Sequence, residues 1–453
     1  MEEKFEDIIS APSIALEKSI DLTKKLRKEA EGLQSVKKAR GYWANLGPGL
    51  VTGAADDDPS GIATYSQTGA QYGYQLLWLS LFTFPLMSVV QEMCARIGLA
   101  TGRGLAGNIR INYPKWVLYL CGILLFVANT LNIGADIGAM ADAARLLTPQ
   151  FSFGLIAFGF MAVTLLIQIF TPYERYAGYL KYLVLVLLSY VATAFAVHLD
   201  PVVLIKNLVI PSITFSKDQL FIITAILGTT ISPYLFFWQT SHEVEEEILH
   251  GKTSIRLREI TNKKEIKKMR IDVWTGMFVS NLVMFFIIAS CAAVLYSKGI
   301  TNINTAADAA QALKPLAGDQ AFLLFAIGII GTGLLAIPVL AGSAAYTLAE
   351  TFKWPSGLYR KLKKARAFYG VIILSMVIGY LINFIGISSI NMLIYSAVVN
   401  GLVAPVILFL IVQMTSNKRV VKEHTSHPFV AALGWLITAI MAISGIVTII
   451  SFF

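Results

Sequence analysis

The chain has 453 residues, of which 56% are hydrophobic and 14% are charged, and its mean hydropathy is +0.65. Soluble globular domains carry about 25% charged residues, so this composition excludes an ordinary soluble protein. The formal net charge of +9 is concentrated in short stretches between long apolar runs, a placement that argues against a nucleic-acid-binding face. We therefore predict an all-α polytopic membrane protein that contacts the lipid bilayer and binds no nucleic acid.

The long apolar runs predict about eleven transmembrane helices. A helix needs roughly 20 residues to cross a hydrocarbon core of about 30 Å, and helices satisfy their own backbone hydrogen bonds there. The predicted spans are 46–72, 74–99, 114–145, 151–171, 176–198, 218–241, 271–296, 319–351, 366–386, 389–414 and 428–453.

Residues 1–43 precede the first span and predict a cytoplasmic tail or surface helix, because nine basic and eight acidic residues occur there at helical spacing. A cleavable signal peptide is not expected, since this charged start lacks an apolar core. Alternating the spans from a cytoplasmic N-terminus leaves outside only Arg145, Lys206, Lys217, Lys298 and Lys314. The positive-inside rule therefore predicts a multi-pass protein of the cell (inner) membrane, with the N-terminus cytoplasmic and the C-terminus extracytoplasmic.

The first span is interrupted by Asp56-Asp57-Asp58-Pro59-Ser60-Gly61. Charged side chains in the middle of a membrane are costly and indicate a functional site. Consecutive helical residues point about 100° apart, so the three carboxylates do not all face one ligand. Asp58 directly precedes the helix break at Pro59 and is the predicted cation-binding carboxylate. Asp56 or Asp57 is expected to line the aqueous approach; alternatively, one of them only faces a polar neighbour in the bundle.

The sixth span contains a second break, Thr230-Ile231-Ser232-Pro233-Tyr234. Pro233 frees carbonyl groups near Thr229 and Thr230, and the hydroxyl groups of Ser232 and Tyr234 flank them. Two broken helices in corresponding positions are typical of a secondary transporter whose substrate binds between them.

Because five spans separate corresponding elements, we predict a 5+5 inverted repeat. The transporter core is residues 44–414, with repeat one at 44–198 and repeat two at 218–414. A charged cytoplasmic loop, 243–270, is expected to be a solvated, partly helical linker. The last helix, within 415–453, lies outside the repeats and is expected to be peripheral.

The two breaks offer only oxygen ligands, since neither contains Met, Cys or His. Carboxylate, carbonyl and hydroxyl oxygens suit Mg²⁺, Ca²⁺ or Mn²⁺ rather than Cu or Zn. Mg²⁺ usually keeps several waters and binds through one or two carboxylates. None of the five histidines falls in the middle of a span, which argues against a histidine proton relay. A divalent cation gains about 4.6 kcal/mol per 100 mV, roughly a thousandfold accumulation, so uncoupled uptake is energetically sufficient.

Several blocks resemble the Nramp family of divalent-metal transporters. They are Gly47-Pro48-Gly49-Leu50, Asp58-Pro59-Ser60-Gly61, Tyr72-Gly73-Tyr74-Gln75-Leu76-Leu77-Trp78, Gln91, and Ile97-Gly98-Leu99-Ala100-Thr101-Gly102-Arg103. The resemblance implies a LeuT-type fold with broken helices 1 and 6. It also implies that Asp58 and the carbonyl groups of Ala55 and Thr229 bind metal.

Three positions depart from the family pattern. Gly61 stands where the family has an Asn ligand, Ser232 where it has a Met ligand, and Tyr234 where it has a His associated with proton movement. Asp136, in the third span, occupies the place of an acidic residue of the family's proton path, or makes a hydrogen bond inside the bundle. Without the soft ligands, the pattern is most similar to the Nramp-related magnesium transporters, a prokaryotic branch.

The predicted site therefore has three groups of residues. The metal ligands are Asp58, Gly61, Ser232, Thr230 and the carbonyls of Ala55 and Thr229. The residues lining the pathway or supporting the ligands are Asp56, Asp57, Tyr234, Asp136 and Gln91. The helix breaks are Pro59 and Pro233.

The expected function is uptake of Mg²⁺, with Mn²⁺, uncoupled from protons. The ion is a transported substrate rather than a cofactor, the expected state is a monomer, and no nucleophile–base pairing or phosphate-binding loop indicates an enzyme. One alternative is a proton-coupled Mn²⁺/Fe²⁺ importer of the ordinary Nramp type. A second is an amino-acid or organic-cation transporter on the same fold, whose first break would be glycine-rich rather than acidic.

Overall fold

The structure is a computed structural model that describes residues 47–171, 188–197 and 199–451. The predicted N-terminal tail and most of the fifth span lie outside these ranges. Fifteen helices of eight residues or more occur in the described part: α1 Pro48–Asp56, α2 Pro59–Tyr72, α3 Trp78–Thr101, α4 Leu105–Asn112, α5 Lys115–Arg145, α6 Phe153–Phe170, α7 Leu188–Ala196, α8 Pro201–Val209, α9 Lys217–Thr230, α10 Pro233–Leu249, α11 Lys263–Val294, α12 Ala321–Phe352, α13 Arg366–Ile382, α14 Ser389–Ser416 and α15 Pro428–Ser451. Shorter helices are Ile255–Arg258, Ala306–Ala310, Lys314–Ala317 and Lys418–Val421.

These helices confirm the predicted all-α polytopic membrane fold. Among the described residues, eight helices are long and apolar enough to cross a membrane, counting α9 and α10 together, and α13 is a shorter apolar helix. The first predicted span is split between α1 and α2, which are too short to cross alone. The fifth is described only from α7 onward. Ten of the eleven predicted spans therefore have a helical counterpart, and the described end of the fifth is helical.

Both predicted helix breaks are confirmed. α1 ends at Asp56 and α2 begins at Pro59, while α9 ends at Thr230 and α10 begins at Pro233. A proline at the first helical position needs no N–H partner and forces its predecessor away from helical geometry. Asp58 (φ −69°, ψ 172°) and Ser232 (φ −81°, ψ 135°) are accordingly extended.

The packing of the two halves is reciprocal. The first broken helix, α1 and α2, packs against α11, the second span of repeat two; α10 of the second broken helix packs against α3, the second span of repeat one. The third spans of the repeats, α5 and α12, pack against each other. This exchange between halves is the pattern that an inverted repeat produces.

Glycines allow α1 to lie unusually close to α11. A Cβ on Gly53 would collide with the backbone of Gly276, and a Cβ on Gly49 would lie 2.6 Å from the Val273 Cα. Small residues permit such close approach between membrane helices. Asp272 of α11 also accepts the Gly49 N–H at 2.7 Å, so the start of α1 is both packed and capped by α11.

The predicted linker at 243–270 is partly helical, as expected, and most of its residues are exposed or partly exposed, but its bounds differ from those of the actual connection. α10 continues to Leu249 and α11 begins at Lys263, leaving only 250–262 as the connection. Glu243, Glu245 and Glu247 are buried in α10. Each carboxylate has a hydrogen-bond donor from the protein: Gln239 for Glu243, the Tyr346 hydroxyl for Glu245 and Lys252 for Glu247. Acidic residues that look solvated in the sequence are therefore paired inside the bundle.

The last helix, α15, buries a narrow stripe against α14 and α9. Within this contact the Thr224 hydroxyl of α9 lies 2.7 Å from the Thr448 hydroxyl. The buried residues of α15 are Gly434, Ile437, Thr438, Met441, Gly445 and Thr448. The remaining faces of α15 carry exposed apolar side chains, as expected for a helix facing lipid.

Candidate metal-binding site

The two helix breaks lie against each other in the middle of the bundle. Side-chain hydrogen bonds cross between them at three points: Ser60 Oγ to Thr229 Oγ1 at 3.3 Å, Tyr65 Oη to Thr230 Oγ1 at 2.9 Å, and Tyr234 Oη to the Ala55 carbonyl at 2.8 Å. All six residues are at most 1% exposed. The fold thus brings the predicted residues of both breaks into one buried polar cluster.

Asp58 occupies the centre of this cluster and caps α2. Its Oδ1 accepts the Gly61 N–H and the Ser60 hydroxyl, both at 2.7 Å. Its Oδ2 accepts the Asn132 side-chain amide at 3.0 Å. These donors offset the desolvation of a buried carboxylate. A carboxylate has about four lone-pair sites, so Asp58 can bind a cation through Oδ2 without losing them.

Asn132 of α5 links Asp58 to a second carboxylate. Its amide nitrogen also lies 3.1 Å from Asp136 Oδ2, and its carbonyl oxygen accepts the Asn400 amide at 3.1 Å. Of the two alternatives for Asp136, the hydrogen bond inside the bundle is therefore present. Asn132 and Asn400 were not predicted as site residues. Both could have been noticed as amide side chains inside apolar spans, and Asn132 also lies one helical turn before Asp136.

Asp56 and Asp57 face α11 instead. The Ser280 hydroxyl lies 2.7 Å from Asp56 Oδ2 and 3.3 Å from Asp57 Oδ1. Within the described residues, the other carboxylate oxygen of each has no hydrogen-bond partner. The polar neighbour predicted for this pair is therefore Ser280, which the sequence analysis did not find.

Ser232 and the predicted carbonyl ligands form hydrogen bonds with each other. The Ser232 hydroxyl donates to the carbonyls of Gly228, at 2.6 Å, and Thr229, at 2.8 Å. The Tyr234 hydroxyl donates to the Ala55 carbonyl. A carbonyl oxygen has two lone pairs, so Ala55 and Thr229 each keep one for an ion. Gly61 contributes only its backbone N–H.

Gln91 of α3 is fully buried. Among the described residues, neither polar atom of its side chain has a hydrogen-bond partner. A buried amide without a partner is costly. The role of Gln91 beside the ion pathway stays a prediction.

The donor set is one carboxylate surrounded by hydroxyl and carbonyl oxygens. Across the described ranges, no three His, Cys, Asp or Glu side chains are grouped as metal ligands. Sites built from carboxylate, carbonyl and water oxygens suit hard divalent cations. The donor set of the cluster is therefore of the type that hard divalent cations prefer.

Comparison with known proteins identifies the family of the chain. The profile of the family described as "Natural resistance-associated macrophage protein-like" matches residues 49–451. The chain belongs to the Nramp family. It is 26% identical over 409 residues to the divalent metal cation transporter MntH of Klebsiella pneumoniae subsp. pneumoniae, covering 88% of this chain and 92% of the relative. It is 27% identical over 411 residues to MntH of Aeromonas hydrophila, covering 87% and 93%.

Solved structures show the same fold at lower identity. The manganese transporter of Eremococcus coleocola, in complex with an aromatic bis-isothiourea compound, has a TM-score of 0.71 at 17% identity, covering 90% of this chain and 87% of that one. MhsT in complex with L-phenylalanine has a TM-score of 0.52 at 13% identity, covering 90% and 98%. This Nramp-family chain is a multi-pass membrane transporter of divalent metal cations. It is not an enzyme, and the metal is its substrate rather than a cofactor.

Proposed function

We propose that this Nramp-family chain imports Mg²⁺, and Mn²⁺ with it, without moving protons. The observation that carries the proposal is the oxygen-only donor set around Asp58, in which Gly61 and Ser232 stand where the family has an amide and a thioether ligand. Removing the thioether removes the preference for soft transition metals. The ligands of the proposal are Asp58, the Ser232 and Thr230 hydroxyls and the Ala55 and Thr229 carbonyls.

The single carboxylate favours a partly hydrated ion. Mg²⁺ loses water reluctantly and is usually bound through one or two carboxylates with several waters retained. In this site Asp58 supplies the charge, and the hydroxyls and carbonyls can accept or donate hydrogen bonds to the retained waters. Gly61 adds no side chain that would compete for their space.

Tyr234 supports uncoupled transport. A phenol does not exchange protons near neutral pH as an imidazole does, and the Tyr234 hydroxyl already donates to the Ala55 carbonyl. The membrane potential alone supplies about 4.6 kcal/mol per 100 mV for a divalent cation. Coupling to protons is therefore not needed for accumulation of an abundant ion.

The second candidate is a proton-coupled Mn²⁺/Fe²⁺ importer of the ordinary Nramp type. This candidate is favoured by the relatives of the chain, which are named as a divalent metal cation transporter and a manganese transporter. It is also favoured by the hydrogen bonds from Asn132 to Asp58 and Asp136, which bring a second carboxylate near the proposed ligand. An amino-acid transporter is disfavoured, since Asp58 already takes the Gly61 N–H that would be offered to a substrate carboxylate.

We also propose the orientation with the N-terminus cytoplasmic and the C-terminus outside, on the distribution of Lys and Arg among the connections. The stretches 252–270, 353–366 and 418–422 carry 17 of the 28 basic residues outside the N-terminal tail. They would share the cytoplasmic side.

A flux assay in proteoliposomes separates the candidates. Mg²⁺, Mn²⁺, Ca²⁺ and Fe²⁺ are added outside under an imposed negative-inside potential, with a metal indicator and a pH dye in the lumen. The proposal predicts entry of Mg²⁺ and Mn²⁺ without acidification. Fe²⁺ entry with acidification, and no Mg²⁺ entry, would establish the second candidate instead. Protein-free liposomes give the background.

A further inference from the structure

A cavity of about 300 Å³ lies at the Lys/Arg-rich end of the bundle, away from the two helix breaks. Its walls come from the segment 102–104, α4, α10, the short helix Ile255–Arg258, the end of α12 and the segment 354–360. This volume is at the lower end of the range of small-molecule sites. The charged residues lining it are four arginines and two glutamates: Arg103, Arg110, Arg258, Arg360, Glu245 and Glu350.

The two glutamates are held by neutral donors rather than by the arginines. Glu245 accepts the Tyr346 hydroxyl and, at 2.6 Å, the Leu358 N–H. Gly357, with φ +123°, makes the turn before that N–H. Glu350 accepts two backbone N–H groups at the start of α4, at 2.9 and 2.8 Å. Neither carboxylate is within ion-pair distance of an arginine of the cavity, although Arg360 attracts Glu245 and Arg110 attracts Glu350 at longer range.

Three of the four arginines form no ion pair with any described carboxylate. Arg258, only 8% exposed, donates to the carbonyls of Gly102 and of residues 252 and 253. Arg110 donates to the backbone carbonyl of Glu350. Arg360 donates to the Tyr359 hydroxyl and its guanidinium lies 5.0 Å from that ring. Each still has N–H groups to offer, because arginine carries five donors.

Arg103 is the exception, since it pairs with Glu259 at 3.1 Å. Hydrogen bonds from Lys422 and Arg103 hold the pKa of Glu259 below its ordinary value. Ser241, 3% exposed, also lines the cavity, and its hydroxyl has no hydrogen-bond partner among the described residues. The cavity therefore has an excess of positive charge, four arginines against two glutamates, and an unused buried hydroxyl.

We propose that this cavity binds a phosphate-bearing anion. Guanidinium groups recognise phosphate oxygens through paired, charge-assisted hydrogen bonds, and the Ser241 hydroxyl supplies a further donor. Trp354 and Tyr359, both partly exposed at the rim, can cover the rest of the ligand. The phosphate belongs to a small cytoplasmic anion or to the headgroup of an anionic lipid. A route for divalent cations would not be lined by four guanidinium groups.

We expect binding here to affect transport because the cavity walls come from helices of different spans. α10 is the second half of the broken sixth span, whereas α12 is the eighth span and also packs against α5. Alternating access requires such parts to move relative to each other. An anion that bridges Arg258 on one side and Arg360 on the other holds them together and slows cation flux.

The test uses the purified full chain in a Mg²⁺-free buffer at about 0.15 M salt, where surface charges are screened within about 8 Å. Pyrophosphate binding is measured by calorimetry and by the shift of melting temperature. We expect Arg110→Gln and Arg360→Gln each to weaken binding about tenfold, as the loss of a charge-assisted hydrogen bond requires. The matched controls, Lys115→Gln and Lys363→Gln, remove exposed charges from the neighbouring segments and are expected to bind as wild type does.

Lipid nanodiscs distinguish the two sources of phosphate. Wild type and both arginine variants are compared in phosphatidylcholine discs with and without phosphatidic acid. Arginine-dependent stabilisation by phosphatidic acid assigns the site to a headgroup, and arginine-dependent binding of pyrophosphate in phosphatidylcholine discs assigns it to a free anion. The proposal is overturned if wild type binds neither probe, or if the lysine controls lose as much binding as the arginine variants. Melting temperatures without ligand verify that each variant is folded.

Discussion

The Tyr234 hydroxyl donates a hydrogen bond to the Ala55 carbonyl oxygen across 2.8 Å, joining the end of α1 to the start of α10. Both residues are buried, and the bond occupies one lone pair of a carbonyl that we propose as a metal ligand. The resemblance to the Nramp pattern implies that Tyr234 replaces a histidine of that pattern. In this chain the position connects the two helix breaks directly.

Tyr234→Phe tests this connection. Loss of one buried hydrogen bond costs about 1 kcal/mol, so we expect the melting temperature in detergent to fall by a few degrees. Mg²⁺ entry should persist without lumenal acidification, because no proton transfer is removed. Tyr395→Phe, which alters an exposed tyrosine of α14, is the control. An unchanged melting temperature in Tyr234→Phe would show that the bond does not stabilise the contact.

The broken-helix architecture could be predicted from the sequence because each break is marked by residues next to each other in the chain. Proline at 59 and 233, and carboxylates in an apolar run, are costly enough to be visible without knowledge of any neighbour. The partners of those carboxylates were not visible in this way. Asn132 lies 74 positions from Asp58 and Ser280 lies 224 positions from Asp56, and Asn400 lies 268 positions from Asn132. Only the packing of helices brings these residues together.

The predicted end of the sixth span, before the acidic residues of α10, was wrong for the same reason. Glu245 looks solvated beside its charged neighbours, but its donors, Tyr346 and the Leu358 N–H, come from more than 100 residues away. A buried carboxylate is tolerated when such donors exist. Local charge density alone therefore placed the end of the sixth span too early.

Asn132→Ala tests the support of Asp58 by α5. The substitution removes the donor to Asp58 Oδ2 and to Asp136, so the ligand loses its orientation as well as a charge-assisted bond. Loss of about 1.5 kcal/mol corresponds to roughly a tenfold rise in the Mg²⁺ concentration for half-maximal uptake. Asn207→Ala, on the exposed helix α8, should be silent. Equal kinetics in both variants would remove Asn132 from the site.

Ser232→Met combined with Gly61→Asn tests the origin of selectivity. Thioether sulfur favours softer metals, so the double variant should favour Mn²⁺ and Fe²⁺ over Mg²⁺ in competition assays. A Cβ on Gly61 would lie 3.3 Å from both the Asp56 carbonyl and the Thr229 hydroxyl, so the Asn is admitted only with a small shift. We therefore expect slower transport overall. If Mg²⁺ still outcompetes Fe²⁺ as in wild type, selectivity does not come from these two positions.

Gly276→Ala tests the close packing of α1 on α11. The added methyl group would collide with the backbone at Gly49 and lie 3.0 Å from the Leu50 Cα, so α1 has to move. Overpacking of this kind costs about 1–3 kcal/mol and should lower both the melting temperature and the flux. Gly370→Ala, whose Cβ meets nothing within 4 Å, makes the same chemical change in open space. Similar stability in the two variants would contradict the packing described.

Mg²⁺ flux through Asp58→Asn is the most direct test of the proposed site. Asparagine keeps an oxygen that can accept the Gly61 N–H and cap α2, while the charge that would attract the cation is removed. Under an imposed negative-inside potential, we expect Mg²⁺ entry into proteoliposomes to fall by roughly a hundredfold or more, the equivalent of about 3 kcal/mol, with the melting temperature of the variant near that of wild type. Mg²⁺ entry at the wild-type rate through correctly folded Asp58→Asn would contradict a cation site at the meeting point of the two helix breaks.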